Sequence, residues 1–458
     1  MSRDEIPNFT KLDQIPVNYA QQLETSVLEP TVFNQGTATT DGFCRFTLAN
    51  KGFLHSHSKI MLALAPSSGG LNYLTPNVGI GQVVKRAVLK IGNKVINEVD
   101  TWAGLQSFKS SLIANENNLE REQYTTGRWL SHQYQYNDES RVQADTYGLA
   151  NGQEYTGDDL DPPSWSLMDS DILAECPSYS IDISDLFGFL KIHQLPLYLI
   201  TEPVVIELTF YPTVDYRCQL ENGGTADQPV DIVRNELVFC ADYIYYGTED
   251  EMDIFADQNK GDLSFTFADY RVIEHSTTAA ALTSGVIRNI GMANRLVNRV
   301  ITQLVASGVG EDSILGRWNA LGPTSNASGV LTGIKYNIRY NDRFEYSTDI
   351  TNPSSLLAMT AHSEGVPPFV TRAEWCGEGN ETDSGGIGGT LLGSSQTDNL
   401  GAHFFNLSTR LTSGRVGSRG LELHISGGFD TNIDLIRCYA EYTRTARLRD
   451  GFVEVYND

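Results

Sequence analysis

Short runs in which large apolar and polar residues alternate dominate this chain, and a period of two sends successive side chains to opposite faces of a strand. The run "FCRFTLANKG" from Phe43 has this form, and "HSKIMLALAP" follows it. In "VVKRAVLKIGNKVINEVD" two alternating arms flank Gly92 and Asn93. That predicts a hairpin, since a Gly-Asn pair takes the positive φ a tight turn between twisted strands requires. Farther on, Val205, Glu207 and Thr209 alternate with Ile206, Leu208 and Phe210, and "ELVFCADYIYYG" closes the first series of strands.

Helical spacing is rare. Leu105, Phe108 and Leu112 recur at three and four residues, which predicts a short helix after the hairpin with its apolar stripe packed on a sheet. Thr248 and Glu251 have capping-box spacing ahead of an acidic first turn, with Met252 and Phe255 as a small apolar face, so a short helix is expected over 248–260. From about 116 to 177, and again from about 352 to 402, periodicity gives way to Gly, Asp, Ser and Pro. Two long irregular loops are the reading.

The second half repeats the order of the first. "LSFTFADYRVIEH", "NRLVNRVITQLVAS" and "IKYNIRYNDRFEYSTD" read as strands, with Asn341 and Asp342 offering turn chemistry at the place Gly92 and Asn93 hold earlier. "GLELHISGG", "IDLIRCYAEYTRTARL" and "FVEVYND" close the chain, and the strand around Cys438 echoes the one around Cys240. Many short strands and few helices argue for antiparallel sandwiches rather than alternating βαβ units. The expected fold is all-β: two tandem eight-stranded antiparallel jelly-roll β-sandwiches with long inter-strand loops and a few short helices. The boundaries expected are an N-terminal arm over 1–30, a first jelly roll over 31–247, a short linking helix over 248–260 and a second jelly roll over 261–458.

Composition narrows the function. The chain has 458 residues, of which 33 are basic and 57 acidic, for a formal net charge of −24. Such a field repels phosphate backbones, so direct sequence-specific nucleic-acid binding is not expected. The N-terminus lacks a basic-then-apolar leader and the longest apolar runs fall short of a bilayer, so no transmembrane segment is expected. Cysteines at 44, 176, 218, 240, 376 and 438 show no paired spacing and read as free thiols. Asn8, Asn326, Asn380 and Asn406 match the N-glycosylation acceptor pattern, which is short enough to arise by chance.

No constellation for catalysis emerges. His55 and His57 would lie on one face of a strand and could share a metal, but no third ligand is near in sequence. Asp158 and Asp161 in "GDDLDPPSW" could serve as paired carboxylates or meet calcium, without the full oxygen-ligand spacing of a calcium loop. "DQNKGD" from Asp257 has Ala268 where an EF-hand needs its closing acid, and "SGGIGGTLLGSS" lacks the strand and Lys of a phosphate loop. Arg437, Arg444, Arg447 and Arg449 could meet an acidic partner or serve as edge-strand charge. No catalytic, cofactor-binding or metal site is assigned, and the chain is read as a non-enzyme without cofactors.

Four segments carry a family resemblance. "VVKRAVLKIGNKVINEVDTWAGLQSF", with Gly92 at the turn and Trp102 on the helix, "LPLYLITEPVVIELTF" from Leu195, Pro196 and Leu197, "ADYIYYGTEDEMDIFA" and the final "RLRDGFVEVYND" occur in one order. Together they resemble the double jelly-roll major capsid proteins of eukaryotic double-stranded DNA viruses, of the large DNA virus, Polinton-like virus or virophage type. Asn93 stands where the family usually has a second Gly, and the acidic segment lacks its Arg run. The resemblance implies a major capsid protein in the virion, assembled inside the host cell. It implies a homotrimer forming pseudo-hexameric capsomers of an icosahedral shell, with neighbouring capsomers and minor capsid and penton proteins as partners. The alternative is a tandem β-sandwich carbohydrate-binding or carbohydrate-active protein, suggested by loop Tyr and Trp with scattered acids, which would need convergent carboxylates such as Asp158 and Asp161.

Overall fold

The computed structural model describes residues 22–37, 39–66, 72–73, 79–113, 125–126, 167–168, 179–212, 218–219, 230–245, 263–306, 335–350, 353–365, 407–412, 415–427 and 433–457. The chain opens with β1 (Gln22–Leu28), β2 (Val32–Asn34), β3 (Gly42–Leu48), β4 (Phe53–Leu54), β5 (Lys59–Leu62), β6 (Leu64–Pro66) and β7 (Asn72–Tyr73). A hairpin of β8 (Val84–Ile91) and β9 (Lys94–Asp100) leads into α1 (Trp102–Ile113). Then come β10 (Leu167–Met168), β11 (Tyr179–Asp182), α2 (Ile183–Leu186), α3 (Gly188–Ile192) and β12 (Leu195–Pro196). β13 (Val204–Phe210), β14 (Cys218–Gln219), β15 (Val230–Ile232) and β16 (Val238–Tyr245) end the first half.

The second half has β17 (Leu263–Ser276), α4 (Ala279–Ser284), β18 (Val286–Gly291), β19 (Val297–Ala306), β20 (Lys335–Tyr340) and β21 (Arg343–Phe344). After α5 (Pro353–Glu364) follow β22 (Leu407–Arg410), β23 (Leu421–Ser426), β24 (Ile433–Arg449) and β25 (Phe452–Asn457). The pairings that build the main sheets are antiparallel.

The two halves share one topology. In the first, a sheet runs β3-β13-β8-β9, with β2 beyond β3; in the second, a sheet runs β18-β23-β20-β21. Each places an early strand, a late strand and then a hairpin. The turns match as well: Gly92 has a φ of 58°, while Asn341 and Asp342 have 50° and 59°. The positive φ favours glycine at 92, and a Cβ there would meet the Glu202 carboxylate at 2.5 Å, which that flexible side chain would have to move to relieve. The opposing sheets correspond too, since β1 pairs β16, which pairs β5, which pairs β11. Their counterparts run β17-β24-β19-β22. β16 and β24, the strands of Cys240 and Cys438, therefore hold equivalent places.

Alternation in the sequence follows burial. Ile206, Leu208 and Phe210 of β13 are fully buried, as are Leu105 and Phe108 of α1. Glu207, on the opposite face, is sequestered instead of solvated, because Arg45 bonds it at 2.7 Å and Lys90 closes over its other oxygen.

Two expectations change. β1 falls inside the segment 1–30 expected to be an arm, yet it pairs with residues 239–245 of β16, and alternate residues of "QLETSVL", Glu24, Ser26 and Leu28, are half-buried there. Residues 22–28 are therefore the first strand of the first roll. Within the loop expected from 352 to 402, α5 forms over Pro353–Glu364. β24 is followed, as the closing "FVEVYND" suggests, by β25, which folds back along residues 444–449. The linking helix expected over 248–260 and most of the 116–177 loop lie outside the described residues. Among the described residues no helix is long and apolar enough to cross a membrane.

Candidate structural site at the seam of the two rolls

β17 and β24 are paired over fourteen positions, from Leu263 opposite Leu448 to Ser276 opposite Leu435. This ribbon serves two cores at once. Leu263, Phe265, Phe267, Ala446 and Leu448 pack in the first roll's cluster, whereas Ile436, Cys438, Ala440 and Tyr442 belong to the second's. Burial of these side chains removes apolar surface that neither roll could cover alone, at about 25 cal/mol per Å2.

One face of the ribbon rests on β9 and α3. Asp269, 1% exposed, accepts from Asn97 at 2.6 Å and pairs with Arg444 at 2.7 Å. Asn97 in turn accepts the Phe189 N–H at 2.7 Å, and Arg444 also donates to the Ile96 carbonyl at 2.8 Å. Burial pushes the Asp269 carboxyl above its usual range, and the Arg444 guanidinium opposes that rise. Around this polar centre Phe189 stacks edge-on against Phe265 and Phe267, at 5.5 and 5.2 Å between ring centroids. Gly188 begins α3 because a Cβ there would stand 2.2 Å from the Ala268 carbonyl oxygen. The void left between Ile96, Phe189, Phe265 and Leu448 is about 10 Å3, no more than one water needs.

The other face meets α1. Tyr439 donates to the Thr101 carbonyl at 2.9 Å, and Gln303 of β19 donates to the Gly104 carbonyl at 2.9 Å. Lys109 reaches over the Tyr270 ring, 4.1 Å from its centroid, and donates to its hydroxyl at 2.5 Å. That hydroxyl donates to Glu441, which also pairs with Arg299 at 2.9 Å; Arg299 holds Glu364 of α5 at 2.8 Å. Burial by itself would raise the Glu441 carboxyl, but Arg299, Lys109 and the Tyr270 O–H outweigh it and hold it below the usual range. Burial brings the Lys109 ammonium down to about 8 against the pull of Glu441.

Such an arrangement does structural work. The ion pairs Asp269–Arg444 and Glu441–Arg299 lie within the second roll, but hydrogen bonds that complete the two networks come from the first, through Asn97, the Ile96 carbonyl and Lys109 on Tyr270. Parting the rolls would leave these buried polar groups unsatisfied, so the two sandwiches are held in one relative orientation. Lys94 to the Val453 carbonyl (2.6 Å) and Thr201 N–H to the Gly451 carbonyl (3.0 Å) extend the joint at its edge.

The residues singled out by sequence fall differently. His55 and His57 occupy a turn, closed by the Ser58 N–H on the His55 carbonyl, and not a strand. Their rings stand 4.7 Å apart and the His57 N–H donates to His55 Nδ1, so that nitrogen is engaged by the turn itself. Among the described residues no group of three or more His, Cys, Asp or Glu could hold a metal. Asp158, Asp161, "DQNKGD" up to Asp262, "SGGIGGTLLGSS" and the acceptor asparagines of all four glycosylation patterns lie outside the described residues. Arg437 and Arg444 are not edge charge, since β24 runs between β17 on one side and β19 and then β25 on the other. Arg437 bonds Glu274 at 2.7 Å and Arg444 bonds Asp269; Arg447 is half-buried, and only Arg449, beside Asp450, is exposed. Cys44, Cys240 and Cys438 are free thiols. Sequence reasoning did not find Asn97, Asp269 or Glu441. Asn97 and Asp269 have one signal, a polar residue interrupting a strand's apolar face, and Glu441, on a face with Arg437 and Thr443, has none.

No protein-family model matches the sequence, and no curated protein matches it. Solved structures do. The mavirus major capsid protein superposes with a TM-score of 0.53 at 10% identity, covering 100% of this chain and 92% of its own. A chain in the cryo-EM structure of the Sputnik virophage gives 0.54 at 11% identity, with 100% and 92% covered. A chain of the PBCV-1 virus capsid gives 0.51 at 11%, with 97% and 99% covered. At these identities the likeness is one of architecture, and it extends over more than nine-tenths of each chain. The protein has the double jelly-roll fold, the fold of the mavirus major capsid protein and of the PBCV-1 and Sputnik chains it superposes on.

Proposed function

We propose that the protein is a major capsid protein, the principal shell subunit of an icosahedral double-stranded DNA virus. The observation that carries this reading is the ribbon of β17 and β24, which joins two topologically equal sandwiches into one body. A rigid pair of like barrels gives three chains six barrels around one axis, so a homotrimer acquires a near-hexagonal outline that can tile flat facets with one repeated contact set. The reading divides the chain into a first roll up to residue 247, a join over 248–260 and a second roll from 261, with an arm ahead of β1. The long loops leave the ends of the rolls, where connections are free to vary and to contact neighbouring capsomers and minor capsid and penton proteins. The subunit acts in the virion capsid, after assembly inside the host cell, and performs no catalysis. Likeness to the mavirus major capsid protein over the whole chain supports it.

Sedimentation and electron microscopy of the purified chain test this. The expected result is a particle of three chains with six-lobed outline. A strictly monomeric protein at all concentrations, or two lobes at variable separation, would overturn it.

A further inference from the structure

Beside the Glu441 network a cavity of about 470 Å3 opens between β19, β22 and the end of α5. That is room for a few peptide groups or a small ligand. Its polar wall is made by Asn298, Arg299, Ser363, Arg410, Thr412 and Glu441. Arg299 and Arg410 are directly opposed in the β19–β22 ladder, so both side chains project from one face. Arg299 is neutralised by Glu364 and Glu441. Arg410 is exposed and has no acidic partner among the described residues. The uncompensated charge of the cavity is therefore a guanidinium, whose planar fork matches a carboxylate.

We propose that this cavity receives a carboxylate side chain from an acidic segment of a second copy of the chain, with Arg410 as its clamp. The source is the neighbour that the shell reading puts beside each chain, and 57 acidic against 33 basic residues give every copy carboxylates to offer. The cavity's preference for carboxylate stands by itself; the second copy as its source rests on the shell reading.

Titration calorimetry of the full chain with acetyl-Glu-Asp-Glu-amide, acetyl-Gln-Asn-Gln-amide and inorganic phosphate tests the cavity. The acidic peptide is expected to bind once per chain, about tenfold or more tighter than the amide peptide, with about tenfold loss in Arg410→Ala and partial recovery in Arg410→Lys. Equal binding of both peptides, binding indifferent to Arg410→Ala, no binding, or displacement by phosphate overturns it. Sedimentation equilibrium of Arg410→Glu tests the source. Self-association weakened about tenfold at an unchanged unfolding midpoint is expected, and unchanged association removes the second copy from the proposal. A wild-type chain that never self-associates sinks the shell reading, while the peptide titration still decides the cavity.

Discussion

β1 and β16 in the first roll hold the same sheet positions as β17 and β24 in the second, yet they are 7 and 8 residues long against 14 and 17. The shorter pair closes one sandwich. Its edge is lightly held: Thr25 bonds Asp242 at an exposed site, and Leu23 and Val27 remain 60% and 63% exposed. The longer pair passes beyond its own sandwich and is clasped by β9 and α3 on one face and by α1 on the other. Equal topology thus does not mean equal duty, and strand length makes the difference between a pair of tethered barrels and one body.

The largest test of that contrast is Asp269→Leu. It strands Arg444 among apolar groups and is expected to cost about 3–5 kcal/mol, read by urea unfolding, with faster amide exchange at 94–97. Asp242→Ala, at the corresponding exposed pairing of the first roll, should cost no more than about 0.5–1.5 kcal/mol. If both variants cost the same, the seam is not special. Next comes Gly188→Ala, whose methyl meets a backbone oxygen that has no side chain to move aside. A loss of about 1–3 kcal/mol is expected, and an unchanged midpoint would show that α3 can shift away from β17.

A smaller difference should separate the echoing cysteines. Cys438 is fully buried in the second core and Cys240 only half-buried against Met61. Burial pushes the Cys438 thiol up to about 12. Alanine at Cys438 is expected to cost about 1–2 kcal/mol and at Cys240 less than about 0.5. In the folded protein a thiol reagent, mapped by peptide mass, should label Cys240 well before Cys438.

The subtlest test uses acid. Glu441 titrates below its unfolded value, so the unfolded chain binds more protons between the two and stability falls as pH drops through that window. Asp269 titrates above its unfolded value, so across its own window stability rises as pH drops. Urea midpoints across the carboxylate range should lose the first slope in Glu441→Gln and the second in Asp269→Asn. A wild-type slope that neither substitution alters would place the acid sensitivity elsewhere.

Two equivalent helices show how much was legible. α1 and α5 each follow the hairpin of their roll, but only α1 announces itself, because Leu105 and Phe108 bury an apolar stripe. α5 turns Thr360 and Ser363 inward instead, where they meet the backbone and hydroxyl of Ser408 at 3.2 and 2.8 Å. A buried helix face satisfied by hydroxyls has no hydrophobic period, so pattern reasoning reads it as loop. The arginines of β24 misled for a related reason. Alternation tells which residues share a face, but not whether that face meets water or another sheet.

Local order was the sequence's own doing: the strands, the Gly92 and Asn341–Asp342 turns, the doubled series and the excess of acid all follow from short-range sterics, periodicity and charge. The register of the ribbon across two cores, the burial of Asp269, Glu441 and Arg444, and the cavity at Arg410 were decided only by tertiary structure. These depend on groups brought together from positions more than a hundred residues apart, and no local pattern encodes which polar residue will find its partner there.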